Sequence, residues 1–176
     1  MARRIRFSVA ASLDGFIATE GGGYDWIVDE PAIDFVAYLE KIDTLLMGRR
    51  TYEIMDNPEA AQLMELKTVY VVSTTLDADA DDRVHVISDD VVERVRALKA
   101  EDRKDIWLFG GGMLFRSMMD AGLVDRVEVA IIPRLLGSGI PLVPGLNEIA
   151  NLELHSTESF PDSGIVILKY DVIRES

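Results

Sequence analysis

TLLMGRRTYE, residues 44–53, sets two arginines directly after a glycine, where an apolar run gives way to a helix-compatible one. The surrounding chain carries 31 acidic against 18 basic side chains and a formal net charge of −13, so a paired positive charge needs a reason. A strand ending at Gly48 and running into Arg49, Arg50 and Thr51 puts free backbone N–H groups, the positive end of a helix dipole, a hydroxyl and two guanidinium groups in one place. That combination suits a pyrophosphate. Pairing of both arginines with nearby surface acids is the alternative.

A second turn of the same kind follows at FGGGMLF (109–115). Gly110, Gly111 and Gly112 remove every Cβ from the approach to a helix N-terminus, which permits close approach of backbone to a phosphate. The glycines lack the spacing of the dinucleotide fingerprint, and no Lys-Ser/Thr follows as in a P-loop. A third strand end, TVYVVS, finishes on Ser73, Thr74 and Thr75, hydroxyls where ligands bind in α/β sheets, although a plain polar turn is the more common use of such a run.

Between these turns, strand-like and helix-like runs alternate. RIRFSVAA (4–11) reads as a strand, SLDGFIATEGGGYDW as a Gly-rich loop, and PAIDFVAYLEKI (31–42) as an amphipathic helix with Pro31 at its first position. TYEIMDNPEAAQLMEL is mostly helical, KTVYVVS and RVHVIS are strands, and Ser88 is placed to cap the helix DDVVERVRALKAE. DIWLF, MLFRSMMDAG and RVEVAII repeat the strand-helix-strand unit, and NLELHSTESF and GIVILKYDVI form a hairpin across PDSG. The expected fold is an α/β three-layer sandwich with a central mixed, mostly parallel sheet and a C-terminal antiparallel hairpin, in one domain spanning 1–176.

Composition narrows the function. The absence of cysteine excludes disulfides, thiolate metal sites and a cysteine nucleophile. The acidic balance disfavours nucleic acid and anionic membranes, and neither a long apolar run nor a secretory signal is present, so a cytoplasmic protein acting on small molecules is expected. His85, flanked by valines in an alternating strand, and His155, among polar residues, read as solvent-facing, and no metal is expected. Phe16, Tyr24, Trp26, Phe35 and Tyr38 gather around the first loop and helix beside Asp14, Asp25, Asp29, Glu30 and Asp34. They frame a planar heterocycle or pack the core. The side chains of Met113, Phe115, Met118 and Met119 read as core.

In this order the pieces resemble the dihydrofolate reductase-like fold, and within it the reductase domain of the riboflavin-biosynthesis bifunctional deaminase-reductase (the RibD C-terminal domain-like family). VAASLDGFIA is similar to the family's first strand and Ser-x-Asp-Gly loop, YDWI to its Trp segment, LLMGRRTYE and LFGGGMLF to its two cofactor turns, and VVST to the strand end receiving an adenosine 2′-phosphate. AGLVDRVEVAIIPRLLGSGIPL is similar to the riboflavin-type domain through Leu123, Val124, Asp125, Pro133 and Gly137. The resemblance implies NADPH held by Gly48, Arg49, Arg50, Thr51 and the turn Gly110 to Gly112 with Met113 and Leu114, its 2′-phosphate near Ser73 and Thr74, and a homodimer. It implies hydride transfer to a C=N or carbonyl carbon of a small heterocyclic or sugar-linked substrate, as in 5-amino-6-(5-phosphoribosylamino)uracil reductase. An NADPH-binding module without turnover and a dihydrofolate or pterin reductase are the alternatives. Asp34, then Asp29 and Glu30, are the acid candidates, although acids at a helix start usually serve as dipole partners and caps, with Asp14, Trp26 and Phe35 toward the substrate. Two positions depart from the pattern. Phe109 stands where the riboflavin enzyme has Glu, and Pro31 or Ala32 where dihydrofolate reductases place a carboxylate.

Overall fold

A computed structural model describes residues 3–55, 57–77 and 81–174. In chain order its elements are β1 (Ile5–Ser12), β2 (Phe16–Ala18), α1 (Phe35–Leu39), β3 (Ile42–Gly48), α2 (Arg49–Ile54), α3 (Pro58–Leu66), β4 (Thr68–Val72) and β5 (Val84–Ile87). There follow α4 (Val91–Ala100), β6 (Asp105–Gly110), α5 (Gly112–Asp120), β7 (Arg126–Ile132), β8 (Ile140–Pro141), β9 (Leu152–Phe160) and β10 (Ile165–Val172).

Eight strands form one sheet in the order β5-β4-β3-β6-β1-β7-β10-β9, parallel from β5 to β7 and antiparallel across β10 and β9. The central strand β3 is buried on both faces, with Leu45, Leu46 and Met47 wholly inaccessible, as a parallel strand covered by helices on both sides must be. Period-two alternation then sorts the neighbouring β6: Ile106 and Leu108 point into a core with Val95 and Leu98 of α4 and Leu114, Phe115 and Met118 of α5. Trp107 and Phe109 point to the other face, where Leu45, Met47 and Val69 meet Tyr38 of α1, Tyr52 of α2 and Met64 of α3. These are the three layers.

The parallel neighbours β3 and β6 send their following helices to opposite faces of the sheet. Such a divergence opens a crevice at the carboxyl ends of the two strands. The two glycine turns singled out in the sequence sit there.

Several local expectations are corrected. The helix expected over 31–42 is confined to Phe35–Leu39. The Asp34 carboxylate caps its start by accepting from Ala37 N at 2.9 Å, and Lys67 Nζ binds Leu39 O and Ile42 O at 2.7 Å each, ending it before Ile42 joins the sheet. The run 51–66 is two helices, because Asn57 caps a new start at Pro58, its side chain accepting from Ala60 N. Ser88 does not cap α4; Asp90 occupies that position with φ +44° and no side-chain cap bond. The Gly-rich loop after β1 contains a short strand, β2, paired antiparallel with β8. At the C-terminal hairpin, Gly164 adopts φ +76° and a Cβ there would stand 3.2 Å from Pro133 Cγ, so the turn requires glycine.

Candidate functional site

The turn after β3 and the turn after β6 face each other. A Cβ on Gly110 would stand 3.4 Å from Thr51 Oγ1, and one on Gly111 3.6 Å from the same atom. Gly110 has φ +143°, a conformation that side chains rarely adopt, and the Gly110–Gly111 peptide is cis. Gly112 is glycine for a different reason: a Cβ there would meet Pro144 Cδ at 3.1 Å and the Pro141 carbonyl at 3.3 Å, so it packs rather than making room for a ligand. Both following helices have a glycine at the N-cap, Gly48 and Gly111, with no side-chain cap bond. The first-turn N–H groups of the nine-residue α5, on Gly112, Met113 and Leu114, have no acceptor within the helix.

Gly48, Arg49, Arg50, Thr51, Gly110, Gly111, Gly112, Met113 and Leu114 all line one cleft of about 1410 Å³. Small-molecule pockets usually hold about 300–1,000 Å³, so there is room for a dinucleotide and a second molecule. Ser73 and Thr74 line a smaller hollow of about 370 Å³ at the ends of β4 and β5, and Arg49 borders both spaces. The two arginines differ. Arg49 pairs with Glu53 at 2.9 Å one turn on, whereas Arg50 has no ion-pair partner among the described residues. Ser73 Oγ accepts from Thr75 N at 3.1 Å and Leu76 N at 2.9 Å, so this hydroxyl also builds its own turn.

The candidate acids do not gather at the cleft. Asp34, Asp29 and Glu30 do not line the cleft. Asp34 is the α1 cap. Ser163, at the β9–β10 turn, and then the Ala32 N–H hold the Glu30 carboxyl below its ordinary range, which ties this loop to the hairpin. Asp14 is a brace: its carboxylate accepts from Ser12 Oγ at 2.6 Å, Gly137 N at 2.7 Å and Leu136 N at 3.1 Å, and the Ser12 bond leads in lowering its pKa. Trp26 donates its indole N–H to Gly23 O at 3.2 Å and lies outside the cleft. Of the three residues placed toward the substrate, Phe35 alone is in the lining, 46% exposed. Met113, expected as core, is 66% exposed at the cleft, while Phe115 and Met118 are buried.

Sequence reasoning missed the apolar wall. Trp107 and Phe109 share one face of β6 with ring centroids 4.5 Å apart, and Phe35 meets Trp107 edge-on at 5.7 Å. The alternating WLF of β6 was the available signal. Trp107 is fixed from below, its indole N–H donating to Ser8 O at 3.0 Å and its ring meeting Tyr38 edge-on at 5.1 Å. Tyr38 in turn lies against Arg6, whose guanidinium is 4.8 Å from the ring and pairs with the buried Glu128 at 2.5 Å. Burial first, then the Glu128 charge, pushes the Tyr38 phenol well above its ordinary pKa and keeps it neutral. His85 is exposed and packs on Tyr70, and His155 lies 3.3 Å from Asp171. Among the described residues no cluster of His, Asp and Glu is suited to a metal, and no helix is long and apolar enough to cross a membrane.

Comparison with known proteins agrees with this architecture. The chain is 35% identical over 179 residues to YyaP, an uncharacterised protein of Bacillus subtilis strain 168, covering 96% of this chain and 94% of that one. The crystal structure of a Shewanella sp. PV-4 protein assigned to riboflavin biosynthesis superposes with a TM-score of 0.80 at 29% identity, covering 99% of this chain and all of that one. Dihydrofolate reductase from Enterococcus faecalis, complexed with NADP(H) and RAB-propyl, shares the fold at a TM-score of 0.69 and 19% identity, with 97% of each chain covered. Residues 3–166 match the RibD C-terminal domain, and the chain belongs to that family.

Proposed function

We propose that this chain is an NADPH-dependent reductase of small molecules carrying a C=N or carbonyl group. Membership of a reductase-domain family supports the oxidoreductase class. The observation that carries the cofactor reading is the convergence of Thr51 on Gly110 and Gly111 beside the start of α5, which has no side-chain cap, and Arg50, which has no ion-pair partner among the described residues. Two chain segments without obstructing Cβ atoms, flanked by N–H donors and a guanidinium, fit a pyrophosphate.

In this reading the N–H groups of Gly112 to Leu114 and the Arg50 guanidinium hold the pyrophosphate, and the Thr51 hydroxyl sits between the two turns. Arg49, bordering both spaces, reaches with Ser73 and Thr74 toward the 2′-phosphate. When bound, the reduced nicotinamide supplies a hydride equivalent. Trp107, Phe109 and Phe35 wall the acceptor from water and align it. Among the described residues the acids lining the cleft are Glu20 and Glu53, the latter paired with Arg49; water or Glu20 is the proton source in this reading.

Titration with NADPH under tryptophan fluorescence tests binding. NADPH consumption with a panel of imines, pterins and diaminouracil ribosylamines tests turnover. Binding without consumption of NADPH by any panel member would favour the binding-module alternative, for which the lack of an acid from α1 in the cleft speaks.

A further inference from the structure

The part of the cleft beside α1, α3 and β6 is chemically unlike a phosphate-binding site. Charged side chains lining the whole cleft, among the described residues, are Glu20, Arg49, Arg50 and Glu53. The arginines stand at the start of α2, and Glu53 already compensates Arg49. The part bounded by α1, α3 and β6 is lined by Phe35, Leu39, Leu63, Leu66, Trp107 and Phe109, with no cation. The lining of this cleft includes exposed large apolar side chains, among them Phe35, Ile54, Leu66 and Met113. An apolar surface left open to water at a concave site marks an apolar ligand.

We infer that this compartment takes an uncharged planar molecule and rejects phosphate-bearing ones. The inference rests on the reading that a dinucleotide occupies Arg49 and Arg50. A second phosphate in the cleft would then have no counter-charge, inside a chain of net charge −13, and desolvating an unpaired anion is strongly unfavourable. The exposed ring of Phe35 and the half-buried ring of Phe109, backed by the buried Trp107, suit a planar ring system; the Gln62 amide offers a donor and an acceptor without charge, and the Asn57 amide, whose oxygen accepts from Ala60 N, offers its NH2. The substrate class therefore differs from the phosphoribosyl compound suggested by the riboflavin-type resemblance.

Equilibrium dialysis with saturating NADP⁺, which cannot reduce the probe, tests this. The probes are 1,4-naphthoquinone and its 2-sulfonate, a pair differing by one negative charge, and the chain has no cysteine to add to a quinone. The neutral quinone is expected to bind at least about tenfold more tightly, a difference of about 1.4 kcal/mol. Leu66→Arg, at a rim position 68% exposed and so tolerant of a long side chain, should erase or reverse that preference. Sulfonate binding to the wild type as tightly as the neutral quinone, or no binding of the neutral quinone, overturns the inference. Dialysis of NADP⁺ alone keeps the two readings apart: a protein that fails to hold NADP⁺ yet prefers the neutral quinone loses the dinucleotide and keeps the apolar pocket.

Discussion

Thr51 Oγ1 lies 3.4 Å from where a Cβ of Gly110 would be and 3.6 Å from that of Gly111, although the residues are about sixty positions apart in the chain. A hydroxyl at the start of one helix thus looks onto bare backbone at the start of another. In the proposed reading, the pyrophosphate sits in a slot at this approach of the two turns.

That slot can be closed by one side chain. Gly111 has φ −90°, which valine tolerates, and its Cβ would make an ordinary contact with Thr51. Gly111→Val should therefore fold and lose NADPH affinity, because the added methyl groups project into the slot. Thermal denaturation without ligand and fluorescence titration with NADPH check the two halves. Normal NADPH binding by a folded variant would make the turn purely structural.

Cofactor choice should follow Arg49. With Ser73 and Thr74 across the smaller hollow, its guanidinium offers charge-assisted bonds to a 2′-phosphate, worth about 1.5–3 kcal/mol for a hydrogen bond to a charged group. NADPH should bind about tenfold or more better than NADH at fixed salt. Arg49→Gln should narrow that ratio, mainly by weakening NADPH. Equal affinities in the wild type would remove the 2′-phosphate from this hollow.

The two turns were legible because a strand running into a helix through glycine is written in consecutive residues, as Gly48-Arg49-Arg50-Thr51 and Gly110-Gly111-Gly112 are. The hairpin of β9 and β10 was legible for the same reason. What was not legible depends on partners far along the chain. The length of α1 is set partly by Lys67, and the pairing of β2 with β8 joins Phe16 to Pro141. A cap is the ordinary role of an acid at a helix start, as Asp34 is, but the brace at Asp14 rests on Leu136 and Gly137, 122 and 123 positions along the chain.

The Asp14 brace predicts an acid-sensitive loop. Bonds from Ser12, Gly137 and Leu136 favour the ionised carboxyl, so its folded pKa lies below the unfolded value. The sign follows from linkage: the stabilisation is present above the unfolded pKa, near 4 for an aspartate at about 3.9, and is lost as pH falls through the folded value. Asp14→Ala should lower the Tm at neutral pH, and the gap from the wild type should shrink as the pH is taken below that range. A gap that stays constant down to strong acid would mean that the charge of Asp14 contributes nothing.

Asp34 separates capping from catalysis. As the N-cap of α1 its carboxylate satisfies the Ala37 N–H, a task that asparagine performs equally well and alanine does not. Asp34→Asn should then leave both Tm and turnover unchanged, whereas Asp34→Ala should cost about 0.5–2 kcal/mol of stability. The shift of Phe35, the next residue and part of the cleft wall, should raise KM in the alanine variant more than it lowers kcat. A positioned general acid behaves differently. Its removal lowers kcat by about 10²–10⁴ and deletes an ionisation from the pH–rate profile, and Asp34→Asn would do this with an unchanged Tm. Measuring Tm, kcat and the pH profile on the same two variants decides between the roles, and a large kcat loss in the asparagine variant would return Asp34 to the chemistry.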